Sequence, residues 1–279
     1  MYTVPRQGTL KNKTKVALIT GAAQGIGSVI AHCFCKKDYF VAFVDINRQV
    51  GEEKEAELKK LGFSAKFYEC NLADEDQIRG LAQKLHADFE HIDAIVNNAK
   101  HPAKEREILS NLEMEWDSTF RIMLKHPILL GQLLLDLLQK SDNASIINIG
   151  STNAHFISQQ PLSYHVVKGA LSQATRYLAC EYGKFNIRVN LLHPGIVDVP
   201  GRSRRKAELF KTAVEQVIPL QRTALAEEVG HCCLFLASGE ARYINGVALD
   251  LDGGEHLKDH FHLAYSGLEK AIPSSELVK

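Results

Sequence analysis

The sequence predicts one doubly wound α/β domain, with about seven parallel strands in a single sheet and helices on both of its faces. Three observations carry this. Short apolar, β-branched runs alternate with helical stretches along most of the chain, the pattern of right-handed crossovers between parallel strands. A glycine-rich turn follows the first run and opens the first helix. The 279 residues, 45% of them hydrophobic, could fill one large domain or two small ones, and no Pro-, Ser- or Gly-rich linker is long enough to divide them.

Residues 1–14 form a polar lead-in whose scattered charge and lack of an apolar segment predict no export and a cytoplasmic protein. Strands are expected over Lys15–Thr20, Phe40–Asp45, Ala65–Cys70, Ala94–Ala99, Ser145–Gly150, Ile187–Leu192 and Val247–Leu251, where apolar and β-branched residues cluster. Helices are expected to start near Gly25, Arg48, Asp74, Glu113, Ser163 and Ala226. The most hydrophobic run, Ile128–Leu138, is interrupted by Gln132 and Asp136 and falls short of the ~20 apolar residues that span a bilayer, so it predicts a buried helix. Its apolar side chains circle nearly the whole helix, more than one sheet face can bury, which predicts a homo-oligomer. Two segments break the rhythm: a loop near 196–222, suited to border a substrate and carrying the basic run Arg202–Lys206, and a tail over 255–279. The folded domain is therefore placed at 15–254.

Lys plus Arg equals Asp plus Glu at 33 each, which excludes the basic footprint that nucleic acid or an anionic membrane needs and leaves a small molecule as partner. The six cysteines match neither a zinc-ligand spacing nor a Cys-x-x-Cys pair, so buried reduced thiols and no metal are expected.

In Thr20-Gly-Ala-Ala-Gln-Gly-Ile-Gly27, glycines let the chain turn tightly at a helix N-terminus, where backbone N–H groups and the helix dipole can hold a pyrophosphate. Asp45 ends the second strand 18 residues after Gly27, placing a carboxylate that can accept from both ribose hydroxyls of NAD and would repel a 2′-phosphate. Arg48, nearby, is the one feature that softens this preference. Tyr164 and Lys168 are four apart and share one helix face. An ammonium beside a phenol, whose ordinary pKa is about 10, favours the phenolate and tunes it for acid/base work. Ser151 stands just past the fifth strand, at the sheet edge where open α/β folds bind ligands, so the three can share one carbonyl or hydroxyl oxygen.

Taken together, Thr20-Gly-x-x-x-Gly-Ile-Gly27, Asn97-Asn98-Ala99, Ser151 ahead of Tyr164-x-x-x-Lys168, Pro194-Gly195 and Asp252-Gly-Gly254 resemble the short-chain dehydrogenase/reductase family, from about Lys13 to Gly254. The resemblance implies a Rossmann-like domain, commonly a dimer or homotetramer, passing hydride between a nicotinamide and an alcohol or carbonyl carbon of a small substrate. It implies that Tyr164 is the acid/base, that Lys168 lowers its pKa and holds the nicotinamide ribose, and that Ser151 binds the substrate oxygen. Gly21, Gln24, Gly25, Ile26 and Gly27 would cradle the phosphates. Asp45, Ile46, Asn71 and Leu72 would hold the adenosine half, while Asn98, Ala99, Pro194, Gly195 and Val197 would line the nicotinamide half beside Tyr164 and Lys168.

Four positions depart from the family pattern. Lys100 replaces the glycine after Asn-Asn-Ala, Asn71 replaces an aspartate at the adenine pocket, and Asp198 stands where threonine is common. Met123 falls where the family carries its fourth catalytic residue, an asparagine whose main-chain carbonyl serves a water beside the lysine. In an α-helix the Met123 carbonyl would accept from residue 127, which is Pro127 and has no N–H. The expectation is a bent helix, with the Met123 carbonyl freed toward Lys168. An active NAD(H)-dependent dehydrogenase or reductase is the leading reading. A cofactor-binding protein that has lost turnover is its rival, favoured by Lys100 and Met123 and opposed by the intact Ser151, Tyr164 and Lys168. An epimerase or dehydratase would need a larger C-terminal domain. His101, Asn153 and His155 are expected at the border of the substrate pocket.

Overall fold

A computed structural model describes residues 14–101, 112–199 and 207–259, together with 261 and 263. Among them run β1 (Val16–Thr20), β2 (Phe40–Asp45), β3 (Ala65–Glu69), β4 (Ala94–Asn97), β5 (Ser145–Ile149), β6 (Arg188–Pro194), β7 (Val197–Asp198), β8 (Ala224–Leu225) and β9 (Ala248–Leu251). Seven form one sheet in the order β3-β2-β1-β4-β5-β6-β9, every pair parallel, and β7 pairs with β8 apart from it. Alternation along β1 shows why both sheet faces are covered. Val16 and Leu18 point into one apolar core and Ala17 and Ile19 into the other, as strands buried on both sides require. The strand order reverses between β1 and β4, so a crevice opens beyond their C-terminal ends.

The helices are α1 (Gly25–Cys35), α2 (Arg48–Lys60), α3 (Glu75–Asp88), α4 (Leu112–Phe120), α5 (His126–Leu133), α6 (Leu135–Gln139), α7 (Leu162–Gly183), α8 (Ala207–Val217) and α9 (Ala226–Ala237). Their starts follow capping chemistry: Asn47 accepts from Val50 N, and Asp74 from Asp76 N and Gln77 N. No helix among the described residues is long and apolar enough to cross a membrane.

Several expectations change. β4 stops at Asn97 rather than Ala99, because Asn98 N and Ala99 N turn to Thr20 Oγ1 and leave the ladder. β6 runs on to Pro194, which still pairs with Leu251. The segment expected as a loop near 196–222 contains α8 and is pinned by β7 against β8. Arg202–Lys206, the lead-in over 1–13 and most of the tail lie outside the described residues. The run Ile128–Leu138 is two helices, broken at Leu134, where the backbone leaves the helical region. One subunit also buries most of it: Leu129, Leu130, Leu134, Leu137 and Leu138 are all in the core. Large apolar side chains are exposed elsewhere, among them Leu162, Val166 and Tyr177 on one stripe of α7.

Between α4 and α5 the chain forms a π turn, Arg121–Lys125, in which His126 N donates to Arg121 O five residues back. The break expected at Pro127 is therefore present, but shifted by one residue. In this register the carbonyl that proline deprives of a donor is that of Ile122, not that of Met123.

Candidate active site

The C-terminal ends of β1 and β4 are fitted to each other without spare room. Gly21 and Gly25 both sit at φ +63°, a region only glycine enters freely. A β-carbon on Gly21 would lie 2.7 Å from Ala99 Cα, and one on Gly27 would lie 2.1 Å from the Gly21 carbonyl oxygen and 2.5 Å from Asn98 Nδ2. The Asn98 amide donates to Thr20 O and Gly21 O at 3.0 and 2.9 Å, tying the turn to β4. Above Gly25 there is open space. A tight turn, closed below and open above at the start of α1, is the shape a dinucleotide's phosphates need, so these residues fit the group that the sequence implies.

Asp45 closes the adjoining end of β2. Its two carboxylate oxygens accept from Ala23 N at 3.2 Å and Asn47 N at 3.1 Å, which fixes the carboxylate against the glycine turn while each oxygen keeps a further lone pair. Ile46 beside it is exposed, and Leu72 is buried. Asn71 turns its amide oxygen onto Ala73 N at 3.0 Å, so the atom expected to face the adenine amino group already has one partner. Gln24 caps α1 by backbone conformation alone, and Ile26 packs against the core on the β1 side. At the other end, Gly195 abuts Asp252, 2.8 Å from where its β-carbon would be, and its N–H reaches Leu251 O; Val197 follows in β7.

Ser151, Tyr164 and Lys168 meet at the end of β5. Ser151 leaves the strand, its hydroxyl accepts from Asn153 N at 3.2 Å, and it stands close enough to Tyr164 to lower the phenol. The Lys168 ammonium is buried, donates to Ile149 O at 2.6 Å, and stands 5.6 Å from the centre of the Tyr164 ring. Electrostatics differ from expectation. Burial pushes the Tyr164 phenol up, opposed only by the Ser151 hydroxyl, so the anticipated lowering by Lys168 does not dominate. It is Lys168 that moves most: burial, and then the nearby Lys100 charge, bring it down to about 7. Met123 is buried in the π turn, and the hydrogen-bond acceptor seen for Lys168 is Ile149 O, not the Met123 carbonyl.

Two functional neighbours escaped the sequence reading. His193, buried on β6, takes the Ser151 N–H on Nδ1 at 3.0 Å, which leaves the proton on Nε2, 3.3 Å from Ser172 Oγ. Burial, with His155 adding to it, holds His193 at about 4, so it backs the Ser151 main chain as a neutral ring. Its only signal in the sequence is a histidine directly before Pro194-Gly195. His126 is the other, one residue before Pro127, with Nδ1 against Ile122 O. His155 pairs with Asp250 at 2.9 Å rather than pointing at Tyr164 or Ser151, and Asn153 Nδ2 bonds Ser158 Oγ. His101 is partly buried after β4, where Lys100 is exposed.

A glycine cradle at a switch point, joined to a Ser, Tyr and Lys group, defines an α/β oxidoreductase site. The family model described as enoyl-(acyl carrier protein) reductase matches residues 21–256. A 3-oxoacyl-[acyl-carrier-protein] reductase, FabG, of Thermotoga maritima is 31% identical, covering 86% of this chain and 97% of that protein. D-threitol dehydrogenase of Mycolicibacterium smegmatis is 32% identical, over 88% of this chain and 94% of that protein. Cyclopentanol dehydrogenase of Comamonas sp. is 30% identical, over 86% and 96%. A crystal structure assigned to a short-chain alcohol dehydrogenase of Sinorhizobium meliloti superposes with TM-score 0.80 at 26% identity, covering 88% of this chain and 97% of that one. The chain belongs to the short-chain dehydrogenase/reductase family, whose members are oxidoreductases that use a nicotinamide cofactor.

Proposed function

We propose that the protein is an active, NAD(H)-dependent oxidoreductase of a small secondary alcohol or ketone, with Tyr164 as acid/base, Lys168 as its electrostatic partner and Ser151 as the group that holds the substrate oxygen. The observation that carries this is the convergence of these three side chains at the end of β5, beside the glycine cradle. When bound, the dinucleotide supplies the hydride donor or acceptor. Ser151 orients the reacting oxygen toward Tyr164, and Tyr164 gives its proton to an alkoxide formed on reduction or takes it back on oxidation. Lys168, charged, would stabilise a phenolate. Burial and then the Lys100 charge oppose that form, and a ribose hydroxyl of the bound dinucleotide, by accepting from the ammonium, would favour it.

Preference for NAD over NADP rests on Asp45 and on the direction of Arg48, whose guanidinium turns along α2 to Glu52 at 2.8 Å. By composition the partner is a small molecule, the exposed stripe Leu162, Val166, Tyr177 supports a homo-oligomer, dimer or tetramer, and the polar lead-in over 1–14 supports a cytoplasmic location. Turnover of a panel of secondary alcohols and ketones with each cofactor tests the reading. Tyr164→Phe should abolish hydride transfer and leave cofactor affinity nearly unchanged; a Phe variant that kept most of its kcat would remove Tyr164 from the acid/base role. Cofactor binding without turnover on any substrate would favour a binding protein instead.

A further inference from the structure

His126 lies at the start of α5, 1% exposed, directly after the π turn. Its Nδ1 contacts Ile122 O, and since a carbonyl only accepts, Nδ1 carries the ring proton. The acceptor is available because of Pro127: in the five-residue register shown by His126 N to Arg121 O, residue 127 would serve Ile122 O, and proline has no N–H. The tautomer is thereby locked. The lone pair of neutral His126 is on Nε2, and that buried atom finds no hydrogen-bond partner among the described residues. An unmet buried acceptor is costly, so its persistence at this place asks for a donor.

The donor at hand is Lys168. The π turn that leads into His126 packs on α7, the helix that carries Lys168, and the charge that bears on His126 is the Lys168 ammonium. That ammonium has three N–H groups, of which Ile149 O takes one. The titratable groups around it are Lys100, Tyr164, His193 and His126. Lys100 is a cation, Tyr164 is engaged with Ser151, and both His193 nitrogens face partners, Ser151 N and Ser172 Oγ. Of the two imidazoles, His126 is the one with an idle nitrogen.

We propose that His126 is a positioning residue for Lys168: its Nε2 lone pair is joined to the ammonium across one bridging water, and holds Lys168 charged and directed at the cofactor and Tyr164. This rests on the reading that Lys168 acts at a nicotinamide site. Burial and the Lys168 charge keep His126 at about 4, so at working pH it is a steady acceptor and not itself an acid. It supplies from a side chain what the Met123 position was expected to supply from a main-chain carbonyl.

The test compares His126→Phe, a ring without the acceptor, with His126→Gln, which keeps one. NADH affinity is followed by nicotinamide fluorescence from about pH 6 to about pH 10, and kcat/KM over the same range, to locate the limb set by Lys168. His126→Phe should move that limb down by about one pH unit, the size of a hydrogen bond to a charged group, and His126→Gln by less than half as much. A merely structural histidine would lower stability in both variants and leave the limb in place, and that result overturns the proposal, as does an equal shift in both. If the Phe variant fails to fold, His126→Met against His126→Gln makes the same comparison. A shifted affinity limb in a protein that turns over no substrate would sink the reaction assigned above and leave this inference standing; turnover with an unmoved limb does the reverse.

Discussion

Lys168→Met should make the protein without cofactor more stable, and do so most at low pH. In the fold, Lys168 titrates at about 7 against an ordinary 10.5, so between those values the unfolded chain binds more protons and stability rises with pH. At about 1.36 kcal/mol per pKa unit, burying this ammonium costs roughly 5 kcal/mol near pH 6.5, and about 1–2 kcal/mol remains near pH 9.5. Methionine fills similar space without charge but leaves Ile149 O without its donor, a loss of about 1–3 kcal/mol. The net gain near pH 6.5 is then about 2–4 kcal/mol, on the order of 5 °C or more in Tm for a chain of this size. It should fall by about 3 kcal/mol and vanish near pH 9.5. Denaturant unfolding of wild type and variant at both pH values measures it. A variant less stable than wild type near pH 6.5, or a difference that does not change with pH, would refute the reasoning, because Lys168 would then not be a buried charge held at the expense of stability.

Lys100→Met removes the second cause of the Lys168 depression, so the pH limb of NADH affinity should move to higher pH; a move to lower pH would mean that Lys100 does not act through its charge. Asp45→Ala should narrow the gap between NADH and NADPH affinity, measured side by side, and NADPH binding as tightly as NADH to the wild type would contradict the NAD assignment. Gly27→Ala puts a methyl against the Gly21 carbonyl and Asn98, neither of which can withdraw, and should cost about 1–3 kcal/mol in unfolding free energy along with much of the cofactor affinity.

The sheet was legible because its central strands β1, β2 and β4 are written as nearly continuous apolar runs, and the glycine turn marks where the first strand ends. Boundaries were less so. Whether β4 ends at Asn97 or Ala99 depends on Asn98 and Ala99 finding Thr20 across the crevice, a contact between residues nearly 80 apart in sequence that no local pattern encodes. The segment near 196–222 reads as a loop because it is long and polar, yet Val214 on α8 and Ile218 just after it are buried. The oligomer argument from Ile128–Leu138 failed for a similar reason. Apolar residues all round a helix do not imply a partner chain when the helix is broken at Leu134 and its two halves present different sides to the same core.

For the site, residue identity and spacing gave Ser151, Tyr164 and Lys168 but not their charge states. A Tyr/Lys pair four apart suggests that the ammonium lowers the phenol, an argument that holds in water and reverses when both groups are buried, since desolvation then acts on each separately. Tyr164 goes up and Lys168 goes down, so the phenolate that would take a proton on oxidation and the ammonium that would stabilise it are both disfavoured. The missing compensation must come from groups that accept from the ammonium or donate to the phenol. In the protein these are Ile149 O, the Ser151 hydroxyl and, on the proposal above, His126 through a water, and a bound ribose hydroxyl would add to them. The resting site thus disfavours the charged lysine, and on the proposed function a bound ribose hydroxyl that accepted an N–H of Lys168 would move the lysine back toward its charged form. If so, NADH affinity and the protonation of Lys168 are linked, and binding near pH 8 should take up protons from solution. Titrations in buffers of different ionisation enthalpy would register that uptake, and the Lys168→Met variant should abolish it.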